Sequence, residues 1–308
     1  MNAWDIIFTT EFAFMVFRVT TPILFTALGA MVSRRAGIMN ISLEGMMLVG
    51  ALFGVIGSTY TQSVLAGVAC AVASSLALSL IFAYFVLKLR SDLILTGIAL
   101  NLMASGGTVF LLSVLCGDKG VSTSMNSLVV PSVDIPVIKD IPVLGEIISG
   151  HNLLTYGALL SVAVVYLLIN KSPMGLRIRS VGENPDAAES VGISVIRTRF
   201  TALIITGILS GLGGAFMSMG YVSWFARDMA AGRGYIALAA QNLGNATPLG
   251  TCLASFLFGV ADALSSSLQV LSVPAEFIQM IPYVTTVIGL VIYAARRKRQ
   301  TAKKSAAL

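Results

Sequence analysis

KSPMGLRIRSVGENPDAAESVGISVIRTR, residues 171–199, is a polar break between two strongly apolar segments. It is too polar to lie in a bilayer, yet it carries the parts of a short helix. Asn184 is placed to N-cap by accepting from free backbone N–H groups, and Pro185 takes the first helical position, where a missing N–H costs nothing. Asp186 and Glu189 put negative charge early in the helix, against its positive dipole end. Gly192 stands where a left-handed residue ends a helix, and Ile193 beyond it can fold back onto Ala188. A helix of roughly two turns does not hold itself together in water. The residues alone leave two readings open: an ordered amphipathic connector, or a peg held by a second protein at the membrane surface.

The flanking segments decide the fold class. The chain has 308 residues, 56% hydrophobic and 11% charged, whereas a soluble domain carries about a quarter charged residues. An integral membrane protein is expected, lodged in a lipid bilayer. The apolar runs have helical length rather than the short alternation of barrel strands, so the expectation is all-α, a polytopic helical bundle. The net charge of +6 does not imply nucleic acid, because the basic residues sit beside apolar runs without aromatic interleaving.

Cys70, Cys116 and Cys252 read as small hydrophobes at unrelated spacings, with no disulfide or metal site. His151, the single histidine, reads as interfacial. The N-terminus lacks a basic region before its apolar run, so no removable signal peptide is expected. No Walker-type phosphate loop, HExxH, GxSxG or protease-like acid pair is present. No catalytic residue, metal site or cofactor is therefore expected on this chain.

Eight clear spans are expected, near residues 17–32, 38–58, 63–87, 93–116, 152–170, 199–222, 249–270 and 277–295. Residues 1–16 form an amphipathic lead-in, 17–295 the transmembrane domain with the 171–199 loop inside it, and 296–308 a basic tail. Arg18 reads as snorkelling to the outer interface. If the tail and the loop lie inside, the inner set is Arg34, Arg35, Lys88, Arg90, Lys171, Arg177, Arg179, Arg197, Arg199 and six tail residues. Lys119, Lys139, Arg227 and Arg233 remain outside. That asymmetry puts the N-terminus out and the C-terminus in. It demands an odd number of crossings, about nine. The ninth is a short or broken helix near 232–245, too polar at Gln241, Asn242 and Asn245 to face lipid and expected to line a cavity.

Polar residues inside the spans are the candidates for a pathway. Asn40 and Glu44 stand four apart, on one face of the second expected helix. At about 1.5 Å per residue from Arg35, Glu44 lies roughly 14 Å into the bilayer, where an acid must be neutral, paired or facing water. It either lines the route or joins two helices by hydrogen bonds. Asn101 and Asp262 are similar cases, and the Gly and Ser residues of 205–220 suit close helix packing.

Several motifs together resemble one family. They are Arg35-Ala-Gly-Ile-Met-Asn-Ile-Ser-Leu-Glu-Gly-Met-Met47, Met174-Gly-Leu-Arg-Ile-Arg-Ser-Val-Gly-Glu-Asn-Pro-Asp-Ala-Ala188 with Gly192-Ile193, Gly234-Tyr-Ile-Ala-Leu-Ala-Ala240, Asn245-Ala-Thr-Pro-Leu-Gly250 and Leu257-Phe-Gly-Val-Ala-Asp262. Over about residues 17–295 the chain resembles permease subunits of bacterial ABC importers that handle nucleosides, simple sugars and branched-chain amino acids. The segment with Ile141-Pro-Val-Leu-Gly145 looks most like the nucleoside type. Asn245-Ala-Thr departs from the small-Trp-Asn run that many members carry before Pro248.

The resemblance implies a type II ABC importer-like permease fold in a bacterial cell membrane. It implies that Gly175, Arg177, Gly182, Asn184, Pro185, Ala187, Ala188 and Gly192 form a coupling region seated on a separate cytoplasmic ATPase. ATP and Mg would be bound there and not on this chain. A second permease, paralogue or self, and an extracellular substrate-binding lipoprotein or protein are the other implied partners. The implied cargo is a nucleoside, with a simple sugar or other small solute as the alternative. A different class remains: an ion-coupled secondary transporter with Glu44 and Asp262 as carriers.

Overall fold

A computed structural model describes residues 9–136 and 144–268, with single positions at Val284, Thr285, Val287, Gly289 and Val291. Residues 1–8 of the lead-in, Ile141 to Val143, the expected last span and the basic tail lie outside the described continuous segments. Among the described residues seven helices are long and apolar enough to cross a membrane. They are α1 (Thr10–Arg35), α2 (Leu43–Thr61), α3 (Val64–Ala83, continued by a π turn Tyr84–Lys88), α4 (Leu93–Cys116), α6 (Leu153–Lys171), α9 (Val195–Met219) and α11 (Pro248–Leu268). Between them lie shorter helices: α5 (Leu144–Ile148), α7 (Pro173–Glu183), α8 (Pro185–Ser190) and α10 (Arg233–Leu243).

Four boundaries differ from expectation. Thr9 accepts from the Phe12 N–H at 3.2 Å, so α1 starts at Thr10 and absorbs the later half of the expected lead-in. α2 starts at Leu43, not near 38, because Asn40 Oδ1 accepts from both Ser42 N and Ser42 Oγ and holds 38–42 in an irregular turn. Asn40 and Glu44 consequently do not share a helical face. In the polar break an extra helix, α7, precedes the expected short one. Ser172 caps it, accepting from Gly175 N at 3.0 Å, with Pro173 at the first position. Finally, Arg233 is the first residue of a helix packed within the bundle and pairs with Asp262.

The bundle is layered. α1 packs on α6, α9, α10 and α11, while α9 also packs on α2 and α3. The apolar windows of α1, α2 and α9 are mostly buried, whereas those of α3, α4 and α6 are only 28% buried. Leu65, Leu95, Leu102 and Phe110 stand out from the peripheral helices, as side chains facing acyl chains do. Small residues bring the inner helices together: a Cβ on Gly211 would sit 2.7 Å from the Val72 Cα, and one on Gly214 would strike the Met47 carbonyl.

The bundle has two distinguishable ends. At the Arg35 end, Arg35 Nε donates to the Ala246 carbonyl and Arg199 Nε to the Ala36 carbonyl. At the Tyr221 end, residues 120–130 pair with the segment after α9, through Ser122 N to Phe225 O at 2.9 Å and Val130 N to Met219 O at 2.7 Å. Asn152 Nδ2 ties that end to α6 by donating to the Val130 and Gly220 carbonyls.

Candidate functional site

The short helix expected near 232–245 is present as α10. The chain leaves α9 at Gly220, runs irregularly to Gly232, and resumes a helix of 11 residues that ends near the Arg35 end. At about 1.5 Å per residue it spans roughly half a bilayer core. Its free N-terminal N–H groups would be orphaned in an apolar medium. Glu44 of α2 supplies the acceptors: Oε1 accepts from Gly232 N and Oε2 from Gly234 N, each at 2.7 Å. A carboxylate at the positive end of a helix forms charge-assisted bonds, which are about twice as strong as neutral ones. Gly232 has φ +80 and Gly234 leaves no room for a Cβ against Glu44, so the junction depends on both glycines.

Asn101 on α4 completes this joint. Its Oδ1 accepts from Gly45 N at 2.9 Å, and its Nδ2 donates to the Ile41 carbonyl and to Tyr235 Oη. Three helices thus meet around the start of α10. Arg233 lies 3.1 Å from Asp262 Oδ2 on α11, an ion pair by proximity rather than an aligned hydrogen bond. Asn40 is spent on its own turn, and Gln241, only 1% exposed, donates to Asn242 Oδ1 at 2.8 Å. Asn40 is therefore engaged in a turn, Asn101 in a helix joint, and Glu44 joins helices. Among the described residues the Gln241 and Asn242 side chains bond only to each other, with Gln241 Oε1 buried and without a hydrogen-bond partner.

One cavity with polar lining lies toward the Tyr221 end. It measures about 220 Å³ and is lined by Arg18, Pro22, Phe216, Tyr221, Met229 and Arg233, among others. The Arg18 guanidinium carbon stands 4.1 Å from the centre of the Tyr221 ring. A planar cation on an aromatic face is attracted by the ring quadrupole by about 0.5–2 kcal/mol. Arg18 therefore lines this cavity while its side chain stays exposed. Tyr221 meets Phe216 edge-on at 5.7 Å, and its hydroxyl reaches His151 Nδ1 at 3.4 Å. His151 is buried, stacks on Phe14 at 3.9 Å, and donates from Nε2 to the Ile147 carbonyl at 2.9 Å. Burial depresses its pKa, which the Ile147 bond partly opposes. Burial likewise raises that of Tyr221.

Sequence reasoning missed Arg18, Phe216, Tyr221 and Arg233. For Arg18 a signal existed, since a cation within a long apolar helix is as costly as Glu44 and asks for the same explanation. The aromatic residues gave none, being indistinguishable from ordinary apolar neighbours.

At the Arg35 end, α8 is built as its residues require. Asn184 Oδ1 accepts from Ala187 N at 3.1 Å, Gly192 has φ +83, and Ile193 N donates to the Ala188 carbonyl at 3.0 Å. Arg177, Asn184, Ala187 and Gly192 are exposed, Pro185 is partly so, and Ala188 is buried. Gly175 and Gly182 face the other way. A Cβ on Gly175 would strike the Leu168 carbonyl, and one on Gly182 the Arg35 carbonyl. Those two glycines seat α7 against α6 and the end of α1. Leu176, Val191 and Ile196 stand exposed near the same surface, Val191 by 75%.

Comparison with known proteins gives a consistent answer. The family model for the permease component of branched-chain amino acid transport systems matches residues 12–295. The chain is 34% identical to the guanosine ABC transporter permease protein NupQ of Bacillus subtilis, covering 89% of each. It is also 34% identical to the nucleoside ABC transporter permease protein NupC of Lactococcus lactis, covering 90% of each. A candidate glucose ABC transporter permease of Haloferax volcanii, TsgC13, is 33% identical over 83% of this chain and 77% of its own length. Among solved structures, an inward-facing ABC transporter of the metal-chelate type shares the fold, with TM-score 0.53 and 16% identity over 94% of this chain and 85% of that one.

Proposed function

We propose that this chain, which belongs to the family of permease components of branched-chain amino acid transport systems, carries a nucleoside as the membrane-spanning subunit of an ATP-binding cassette importer. The permease role comes with the family. The nucleoside comes from NupQ and NupC, each similar over about nine-tenths of the chain. The glucose relative in Haloferax volcanii favours a simple sugar as the second reading.

The observation that carries the coupling part is α8. Six residues, capped at both ends and exposed on most of one side, cannot form a stable helix in isolation. The exposed apolar residues beside it, Leu176, Val191 and Ile196, suit a protein partner. That partner is a separate cytoplasmic ATPase holding ATP and Mg, and its closure moves α7 and α8 with it. A second permease subunit and an extracellular binding protein complete the assembly. The Arg35 end faces the cytoplasm and the Tyr221 end the exterior, as the charge asymmetry asks. An ion-coupled carrier fits less well, because Glu44 and Asp262 are both engaged in joining helices.

Uptake of labelled nucleoside by cells carrying the intact system tests the reading. Uptake should persist when an uncoupler collapses the ion gradient while ATP is maintained, and stop when ATP is depleted. Uptake that follows the gradient instead would overturn the importer mechanism, and uptake of sugar without nucleoside would overturn the cargo.

A further inference from the structure

The cavity beside Arg18 is unbalanced in its chemistry. Its described charged lining groups are two guanidinium groups, which only donate, and the Tyr221 hydroxyl is taken up with His151 Nδ1 and with Asn152 N, from which it accepts. No carboxylate is among those lining residues, and Asp262 compensates Arg233 from outside the lining. Arg18 has no carboxylate partner among the described residues and rests only on the Tyr221 ring. The contact with the ring holds the guanidinium at the cavity wall and uses none of its N–H donors in a hydrogen bond to the ring edge. The remaining walls, Pro22, Phe216 and Met229, are apolar and suit the face of a planar ring.

We propose that this cavity is a nucleobase site in which Arg18 reads the acceptor-rich edge of a 6-oxopurine. This rests on the nucleoside reading above and deepens it. An arginine fork matches O6 and N7 of guanine, two acceptors side by side. A 6-aminopurine presents an amino group where O6 would be, so one guanidinium N–H meets a donor and goes unpaired. Discrimination arises from that mismatch as much as from the attraction. Arg18 is thus a specificity-determining residue, and Tyr221 is a positioning residue that holds its guanidinium at the cavity wall.

The test compares guanosine and adenosine uptake in cells carrying the intact system, with the other components unchanged, for the wild type and Arg18→Gln. The wild type should favour guanosine. Arg18→Gln should lower guanosine uptake about tenfold or more and adenosine uptake far less, so that the ratio collapses. Equal losses for both nucleosides, or an unchanged ratio, would overturn the inference, since a merely structural role moves both alike. Should Arg18→Gln fail to reach the membrane, Arg18→Lys keeps the charge and loses the planar fork. It should still lower the ratio, and an unchanged ratio there overturns the proposal as well. A wild type that prefers adenosine sinks this site assignment while leaving nucleoside transport standing. A wild type that carries neither sinks the nucleoside reading and this inference with it.

Discussion

Arg35 Nε donates to the carbonyl oxygen of Ala246 at 2.6 Å, joining the last residue of α1 to the turn between α10 and α11. The same Arg35 offers its own carbonyl to the close approach of Gly182 on α7. One residue therefore touches both the segment read as the docking region and the half-length helix. Asn245 and Ala246 hold positive φ, so this turn is strained backbone that needs an external tie. Arg35→Gln should destabilise the bundle by about 1–3 kcal/mol and weaken the dependence of uptake on ATP. Thermal unfolding in detergent reads the first effect, and uptake per ATP hydrolysed reads the second. A variant with unaltered stability and coupling would show the bond to be incidental.

Glu44 should behave as a fastener. Glu44→Gln keeps one acceptor and sets its amide donors against a backbone N–H, so one N–H of α10 goes unsatisfied. A loss of about 1–3 kcal/mol in stability is expected, with uptake falling in parallel. A proton carrier would instead lose uptake while keeping its melting temperature, and that outcome would contradict the structural assignment.

Gly182 and Ala187 lie five residues apart and should fail differently. Gly182→Ala forces a methyl against the Arg35 carbonyl, which costs about 1–3 kcal/mol of overpacking and lowers the melting temperature. Ala187→Arg adds an exposed side chain and should leave stability within about 0.5 kcal/mol. Only the second variant should release the ATPase from a normally folded permease in a detergent pull-down. Its retention there would argue against docking at α8.

His151 gives the corner near the cavity a pH dependence. Burial holds its folded pKa below the ordinary 6.5, so the folded state keeps it neutral. As pH drops through 6.5 the unfolded chain binds a proton that the folded chain refuses, and stability falls until the folded pKa is passed. Melting temperatures measured at pH 7.5 and 5.5 should show this loss, and His151→Gln should show a smaller one. Equal pH dependence in both proteins would remove His151 from the account.

Much of this was legible in the chain. Asn184, Pro185 and Gly192 specify α8 through local chemistry, and its caps form as their identities demand. Leu93–Cys116 appears at its expected bounds for the same reason, since apolar length and the Asp92 cap are local properties. Asn40 shows the limit: its spacing from Glu44 suited a helix, but its side chain found Ser42 first and formed a turn.

By itself, then, the order of residues determined a helical membrane bundle, the position of most spans, the capped peg and the presence of a short helix near 232–245. Hydropathy, capping and charge asymmetry act over a turn or one span, so they survive in one dimension. Tertiary structure decided which polar groups meet: Glu44 with Gly232 across 188 residues, Asn101 with Tyr235 across 134, and Arg18 with Tyr221. In a medium without water each such group must find a partner wherever packing brings one, and the helix crossings that set those distances are fixed by side-chain shape between elements far apart in the chain.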